Sequence, residues 1–151
     1  LAYWRNQTYL GFGAGAHGHA GGVRYSNVLR IKTYIDRLTD NELQLPGRDF
    51  PLTPATVKRQ HISPKTAMQE TMMTGLRLTR EGVSAEAFRE RFGVALEDVF
   101  GKEIDDLLRL GLLEWSSTDS EADKRMRTEK ALRLTKHGRL LGNQVFMRFV
   151  G

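Results

Sequence analysis

Hydrophobic and polar positions divide the chain into two patterned segments joined by a less regular stretch. In the first segment, residues 8–13 predict a short buried strand, and residues 13–22 predict a glycine-rich loop after it. Asn27 is a favourable N-cap for the helix that apolar spacing predicts as far as Leu38. One strand and one helix cannot bury a core alone, so residues 1–43 are interpreted as the end of a larger α/β domain.

The middle stretch, residues 44–62, is rich in turn-forming residues. It contains Pro46-Gly47, Pro51 and Pro54 and has few periodic apolar positions. This composition predicts an extended connector.

The second segment, residues 63–151, predicts three helices in succession. Ser63-Pro64 is a typical helix start, and that helix is expected to run to about Arg77. Ser84 should cap a short second helix, and residues 96–110 should form a third that ends at Gly111. The positions expected to face the core are Met68, Met72, Met73, Leu76, Ala87, Phe88, Phe92, Val99, Phe100, Ile104, Leu107 and Leu108.

Two strands and a last helix complete this segment. Residues 112–115 and 131–134 predict strands that pair across a charged stretch, and Thr135 should cap the final helix. Three helices followed by a two-stranded wing is the order of a winged-helix domain, here with an added helix. The predicted fold class is therefore α+β and mostly helical. The inner positions expected on the last helix are Leu140, Leu141, Val145, Phe146 and Phe149.

Composition limits the chemistry that these residues can perform. The chain has 151 residues and no cysteine, which excludes disulfides, thiolate zinc sites, a cysteine nucleophile and a cysteine-ligated iron–sulfur cluster within it. It has no apolar run long enough to cross a bilayer, and its first residues lack a signal-peptide pattern. These features predict a soluble, cytoplasmic protein.

The charge pattern argues against nucleic-acid binding. The net charge is +5. The predicted third helix, taken as residues 94–112, has five acidic and two basic residues, or −3, and residues 116–130 have four of each. Phosphate contacts dominate DNA affinity, so an acidic recognition helix would be repelled. We expect no nucleic-acid partner, and a winged-helix DNA-binding module is only a remote alternative.

The glycine-rich stretch is the candidate site. Gly13, Gly15 and Gly18 match G-x-G-x-x-G, the dinucleotide-binding pattern. That pattern should open directly into a helix, whereas here the loop continues, so a tight turn built for packing is the favoured alternative. His17 and His19 are spaced as a conceivable metal pair, but no nearby carboxylate completes a ligand set, and His17 is more often structural in such a setting.

This stretch and its flanks resemble one known family. In HemW-like proteins of the radical S-adenosylmethionine (SAM) superfamily, kin to the oxygen-independent coproporphyrinogen III oxidases, H-N-x-x-Y-W is followed by Y-L-G-x-G-x-G-A-H. The resemblance covers nearly the whole chain, with several motifs in the family's order. They are Tyr3-Trp4-Arg5, residues 9–18, Val23-Arg24-Tyr25-Ser26-Asn27, Leu76-Arg77-Leu78, Glu81-Gly82-Val83, Leu110-Gly111-Leu112-Leu113 and residues 132–146.

The resemblance implies a partial TIM-type barrel followed by a small C-terminal domain. Residues 1–43 would be the last strand and helix of the barrel, and the N-terminal remainder of the barrel would be their partner. The family uses a [4Fe-4S] cluster, held by C-x-x-x-C-x-x-C, together with SAM and haem, but this chain lacks the cysteines. The residues that would border the bound cofactor are Gly11, Gly13, Ala14, Gly15, Ala16 and His17.

The resemblance also implies a function for the whole protein. It would be a haem chaperone that delivers haem to haem-requiring proteins, with the oxygen-independent coproporphyrinogen III dehydrogenase as the alternative. The family's implied haem ligand, the His of H-N-x-x-Y-W, would stand just before Leu1. Tyr3 and Trp4 would either pack against the porphyrin or belong to the barrel edge.

Two further expectations concern this chain itself. Since it lacks both the cysteines and the haem-ligating histidine, it should be inert alone, and no catalytic residue or metal ligand is expected within it. The C-terminal domain is expected to cover the open side of the barrel as a lid. Its exposed apolar face would then permit oligomers.

Overall fold

The computed structural model describes residues 7–40, 50–118 and 129–150 of the chain. The chain divides into two compact units, residues 1–63 and residues 64–151. Each unit is built on its own three-stranded sheet. None of the helices in the described ranges is long and apolar enough to cross a membrane.

The first unit contains an antiparallel sheet and one helix. The strands are β1 (His17–Ala20), β2 (Val23–Asn27) and β3 (Thr56–His61), in the order β1-β2-β3, and helix α1 is Ile31–Thr39. Gly21 and Gly22 form the two-residue turn between β1 and β2 with φ of 56° and 71°. Two successive positive φ angles are typical of a type I′ hairpin turn, which glycine forms without steric cost.

The predicted elements of this unit need correction. Residues 8–13 form no strand, and only Tyr9 makes a single bridge, to His19. The predicted loop contains β1 and the hairpin turn. The prediction of a single strand followed by a helix within residues 1–43 was therefore wrong, because two strands, β1 and β2, precede α1. The predicted connector includes β3, which pairs with β2. These strands escaped prediction because β1 and β3 are short and lack an apolar–polar alternation.

The predicted helix start in this unit was also wrong. The N-cap of α1 is Arg30, not Asn27. Asn27 ends β2, and its amide group donates hydrogen bonds to two carbonyl groups of the glycine-rich stretch. A short polar side chain serves either purpose, because in both it satisfies backbone groups that lack partners.

The second unit follows the predicted order of helices and strands more closely. The elements are α2 (Pro64–Arg77), β4 (Val83–Ser84), α3 (Ala85–Phe92), α4 (Leu96–Arg109), β5 (Leu113–Thr118), β6 (Glu129–Leu134), α5 (Lys136–Leu140) and α6 (Gly142–Arg148). The sheet is antiparallel with the order β4-β6-β5. The short strand β4 was missed because two residues carry no detectable period.

Two predicted caps in this unit are confirmed. The Ser84 hydroxyl accepts a hydrogen bond from the Ala87 amide at 3.2 Å, and the Thr135 hydroxyl accepts one from Gly138 at 2.9 Å. Thr135 also donates to the Gly111 carbonyl at 2.6 Å. The two caps therefore fix where α3 and α5 begin, and Thr135 ties α5 to the end of α4.

Most of the predicted core positions are buried. Met72, Leu76, Phe88, Phe100, Ile104, Leu107, Val145, Phe146 and Phe149 belong to one hydrophobic cluster, against which Met68, Met73, Phe92, Leu108 and Leu141 pack. The methionines of α2 are thus packing residues.

Three positions predicted to face inward are exposed instead. Leu140 is 82% exposed and Val99 is 38% exposed, and Ala87 also lies on the surface. The predicted last helix is broken at Leu141 (φ −110°, ψ 21°), so the helical period does not continue from α5 into α6. The buried stripe of α4 follows Leu96, Phe100, Ile104 and Leu107, which leaves Val99 at its edge.

Candidate functional site

The glycine-rich stretch, residues 11–18, is held at both ends by backbone hydrogen bonds. Tyr9, which precedes the stretch, and His19, which follows it, exchange two backbone hydrogen bonds of 2.8 Å each. Within it, the Gly15 backbone amide donates to the Val28 carbonyl at 2.8 Å. The backbone amide of Asn27 donates to the Ala16 carbonyl at 2.9 Å. These bonds anchor the stretch against β1 and the end of β2.

Three side chains fix the conformation of the stretch from outside it. The Tyr25 hydroxyl accepts a hydrogen bond from the Gly11 amide at 3.1 Å, and the Tyr34 hydroxyl accepts one from Gly13 at 3.0 Å. The Asn27 amide group donates to the carbonyls of Gly11, at 3.3 Å, and Gly13, at 3.0 Å. Sequence reasoning missed the role of all three side chains, because each acts on a partner 14 to 21 residues away.

Two of the glycines are required by packing. A Cβ atom on Gly11 would overlap the His17 carbonyl oxygen, and one on Gly18 would overlap the Tyr25 ring. Gly13 and Gly15 instead have φ of 105° and 70°, a region that glycine adopts far more readily than other residues. Close backbone approach therefore accounts for much of the glycine content.

The backbone amides of the stretch are used internally. Those of Gly11, Gly13 and Gly15 donate to a tyrosine hydroxyl, a second tyrosine hydroxyl and a backbone carbonyl. A dinucleotide-binding loop instead points such amides at the pyrophosphate and opens into a helix. Here the stretch leads into β1, so the geometry agrees with the sequence argument against a dinucleotide site.

The predicted site residues differ in their exposure. Gly11, Gly13, Ala14, Gly15 and Ala16 are half-buried. Tyr3 and Trp4 lie outside the described residues.

The two histidines differ in their surroundings. His17 is exposed, whereas His19 is buried. Across residues 7–40, 50–118 and 129–150, no three His, Cys, Asp or Glu side chains are grouped to hold a metal ion.

Asn27 makes two of the four side-chain hydrogen bonds to the stretch, and its replacement tests their contribution. In Asn27→Ala, the Gly11 and Gly13 carbonyls lose the side-chain donor, while Gly13 keeps the bond from the Ala16 amide, so the free energy of local opening should fall by about 1–3 kcal/mol. Amide hydrogen exchange across residues 11–18 should then accelerate roughly 5- to 150-fold, as measured by mass spectrometry or NMR.

Asn143→Ala is the matched control, because Asn143 is exposed on α6. It should leave exchange across residues 11–18 unchanged. Equal protection in both variants would show that Asn27 does not hold the stretch.

Comparison with known proteins places this arrangement in a family. The model of the HemN C-terminal domain matches residues 62–118. The chain is 38% identical over all 151 residues to "Heme chaperone HemW" of Bacillus subtilis, and 28% identical over 150 residues to the protein of that name in Lactococcus lactis. The chain belongs to the HemW/HemN-like proteins.

The relatives are much longer than this HemW/HemN-like chain. It spans 34% of the length of the Bacillus protein and 33% of that of the Lactococcus protein. Among solved structures, it is similar to the coproporphyrinogen III oxidase (HemN) from Escherichia coli, described as a radical SAM enzyme. That likeness has a TM-score of 0.52 and 16% identity, and it covers 95% of this chain and 28% of the enzyme. At this identity it supports a shared mixed α/β fold only.

Proposed function

We propose that the whole protein is a haem chaperone, which binds haem and transfers it to haem-requiring proteins in the cytoplasm. The observation that carries the proposal is the 38% identity, over every residue of the chain, with a protein named as a haem chaperone. This chain would contribute structure to that protein and would be inert alone.

The cofactors proposed for the whole protein are a [4Fe-4S] cluster, SAM and haem. A cysteine-ligated cluster does not fit the residues of this chain, because the chain contains no cysteine. The cluster would have to be held by another part of the protein.

We propose that the border of the cofactor site includes the stretch from Gly11 to His17. Its support is the rigid, half-buried backbone that Tyr25, Asn27 and Tyr34 maintain there. Since three glycine amides already have acceptors, contact would be made through packing against the small residues.

The N-terminal remainder of a partial TIM-type barrel is the proposed partner of the first unit. Its support is the apolar surface around α1, where Leu29, Ile31 and Ile35 are 81%, 71% and 52% exposed. No residue of α1 is buried, and Phe12 is 82% exposed. Apolar surface of this extent in one small unit is typical of an interface with another part of a protein.

The second unit is proposed to be a winged-helix-like lid. Its first three helices, α2 to α4, and the strand order β4-β6-β5 support the winged-helix comparison. Oligomers through the lid face remain a proposal, which size-exclusion chromatography with light scattering would test. The net charge of −3 on α4 argues against DNA as its ligand.

Haem titration of the whole protein tests the proposal. We expect a histidine immediately before Leu1 to ligate the iron, and Tyr3 and Trp4 to lie near the porphyrin. Titration followed by the Soret band should give saturable binding. Replacing that histidine with alanine should weaken binding at least about tenfold, or 1.4 kcal/mol.

The isolated 151-residue chain is the control. It should give no saturable Soret shift, because the proposed ligand is absent from it. Saturable binding by the isolated chain, or binding by the whole protein that is unaffected by the replacement, would contradict the proposed haem site.

The coproporphyrinogen III dehydrogenase is the second candidate function. Its support is the match of residues 62–118 with the HemN C-terminal domain, since HemN is the name of the Escherichia coli coproporphyrinogen III oxidase. The two functions differ in a measurable product, since only the dehydrogenase would release carbon dioxide from the propionate side chains of coproporphyrinogen III.

A further inference from the structure

The second unit contains a cavity that two arginines line. The cavity has a volume of about 460 Å³ and lies beside the end of α2 and the junction of α5 and α6. Arg77 and Arg139 both line it, together with the amide side chains of Asn143 and Gln144. Pockets that hold small molecules commonly have volumes of about 300–1,000 Å³.

Each guanidinium is oriented by a contact that leaves most of its N–H groups available. Arg77 lies over the Phe146 ring, with its Cζ atom 4.7 Å from the ring centroid. Arg139 donates one hydrogen bond, from Nη2 to the Thr79 carbonyl, at 3.3 Å. An arginine carries five N–H donors, so both retain unused donors on the same cavity.

The cavity carries positive charge without a compensating carboxylate. Among the described residues that line it, none is acidic. Each arginine side chain carries a positive charge, and two such charges on one cavity repel each other. An anion between them would remove that repulsion and accept charge-assisted hydrogen bonds.

Part of the remaining wall is apolar. Leu140, which is 82% exposed, lines the cavity alongside Leu141, whereas Phe146 and Leu134 are only 8% and 2% exposed. A ligand that combines an oxyanion with an apolar body would therefore satisfy both kinds of wall.

We propose that this cavity binds a small organic oxyanion, a carboxylate or a phosphate monoester, which carries an apolar group. Arg77 and Arg139 hold the oxyanion, Asn143 and Gln144 supply neutral hydrogen-bond donors, and the apolar group lies against Leu140 and Leu141. The site is independent of the proposed haem function.

Titration of the full 151-residue chain with benzoate, phenyl phosphate and the neutral analogue benzamide tests this proposal. Binding is followed by the amide NMR shifts of residues 139–146. Saturable shifts are expected with at least one of the two anions. Which anion binds more tightly distinguishes a carboxylate site from a phosphate site, and benzamide should bind at least tenfold more weakly than that anion.

Arg77→Gln and Arg139→Gln should each weaken binding of the preferred anion at least tenfold. Arg109→Gln removes an equal charge at the end of α4, outside the residues that line the cavity, and should leave the affinity unchanged. Circular dichroism confirms that each variant is folded, and Arg77→Lys, which keeps the charge but loses the planar fork, should bind at an intermediate affinity.

Three results would overturn the proposal. The first is the absence of a saturable NMR shift with either anion up to 20 mM. The second is a benzamide affinity equal to that of the anions. The third is an equal loss of anion affinity in Arg77→Gln, Arg139→Gln and Arg109→Gln. The last would mean that general positive charge, and not this cavity, attracts the anion.

Discussion

Replacing Phe88 with alanine is expected to destabilise the second unit by about 3–5 kcal/mol. The Phe88 side chain is 2% exposed and lies at the centre of a group of aromatic rings. Its ring centroid is 4.7 Å from that of Phe92 and 6.4 Å from that of Phe100, and Phe100 in turn contacts Phe149 at 5.5 Å. Alanine would leave a cavity that rings held by three different helical segments cannot all close.

The measurement is urea unfolding followed by circular dichroism and by amide exchange in residues 64–150. Because small domains are stable by only about 5–15 kcal/mol, the variant should unfold at a much lower urea concentration. Leu140→Ala is the control, since Leu140 is 82% exposed and should change stability by no more than about 0.5 kcal/mol. Similar losses in the two variants would contradict the packing described for α3 and α5.

Replacing Gly138 with alanine is the second large effect. A Cβ atom at Gly138 would lie 2.8 Å from the carbonyl carbon of Leu112, and closer still to the oxygen. Backbone atoms on both sides must move to relieve this overlap, which we expect to cost about 1–3 kcal/mol or more. The movement also disturbs the cap made by Thr135. The Thr135 hydroxyl accepts a hydrogen bond from the Gly138 amide, and the Thr135 backbone amide donates to the same Leu112 carbonyl.

Gly101→Ala is the matched control for this prediction. Gly101 lies in α4 directly after Phe100, whose φ of −123° and ψ of 19° mark a kink, and a Cβ atom at Gly101 would meet nothing within 4 Å. Alanine is the better helix former, so this variant should gain about 0.5–1 kcal/mol. Thermal unfolding of the two variants should thus shift in opposite directions, and a stabilised Gly138→Ala would contradict the close approach of α5 to Leu112.

The helices of the second unit were predictable because their signals are local. Ser84 and Thr135 are capping residues that accept hydrogen bonds from amides only three positions along the chain, and Gly111 ends its helix with a φ of 66°. The sheet of the first unit depends on distant pairing. In β3, five of the six residues are exposed, so its place beside β2 left no apolar pattern in the sequence.

The candidate site shows the same division between local and distant information. Sequence motifs singled out the stretch from Gly11 to His17 as a candidate site, but they did not predict the side chains that fix its conformation. The hydrogen bonds from Gly11 to Tyr25 and from Gly13 to Tyr34 join residues 14 and 21 positions apart. Asn27 was assigned to a helix start because the same amide chemistry serves both caps and loops.

Haem transfer by the whole protein tests the central claim most directly. The haem-loaded protein would be mixed with the apo form of a haem enzyme from the same organism, and the gain of that enzyme's absorption spectrum and activity would be followed. Coproporphyrinogen III would be supplied to the same preparation in a parallel assay. A haem chaperone should restore the haem enzyme faster than free haem does and should release no carbon dioxide from coproporphyrinogen III. Decarboxylation of coproporphyrinogen III without haem transfer would contradict the proposed function and support the dehydrogenase.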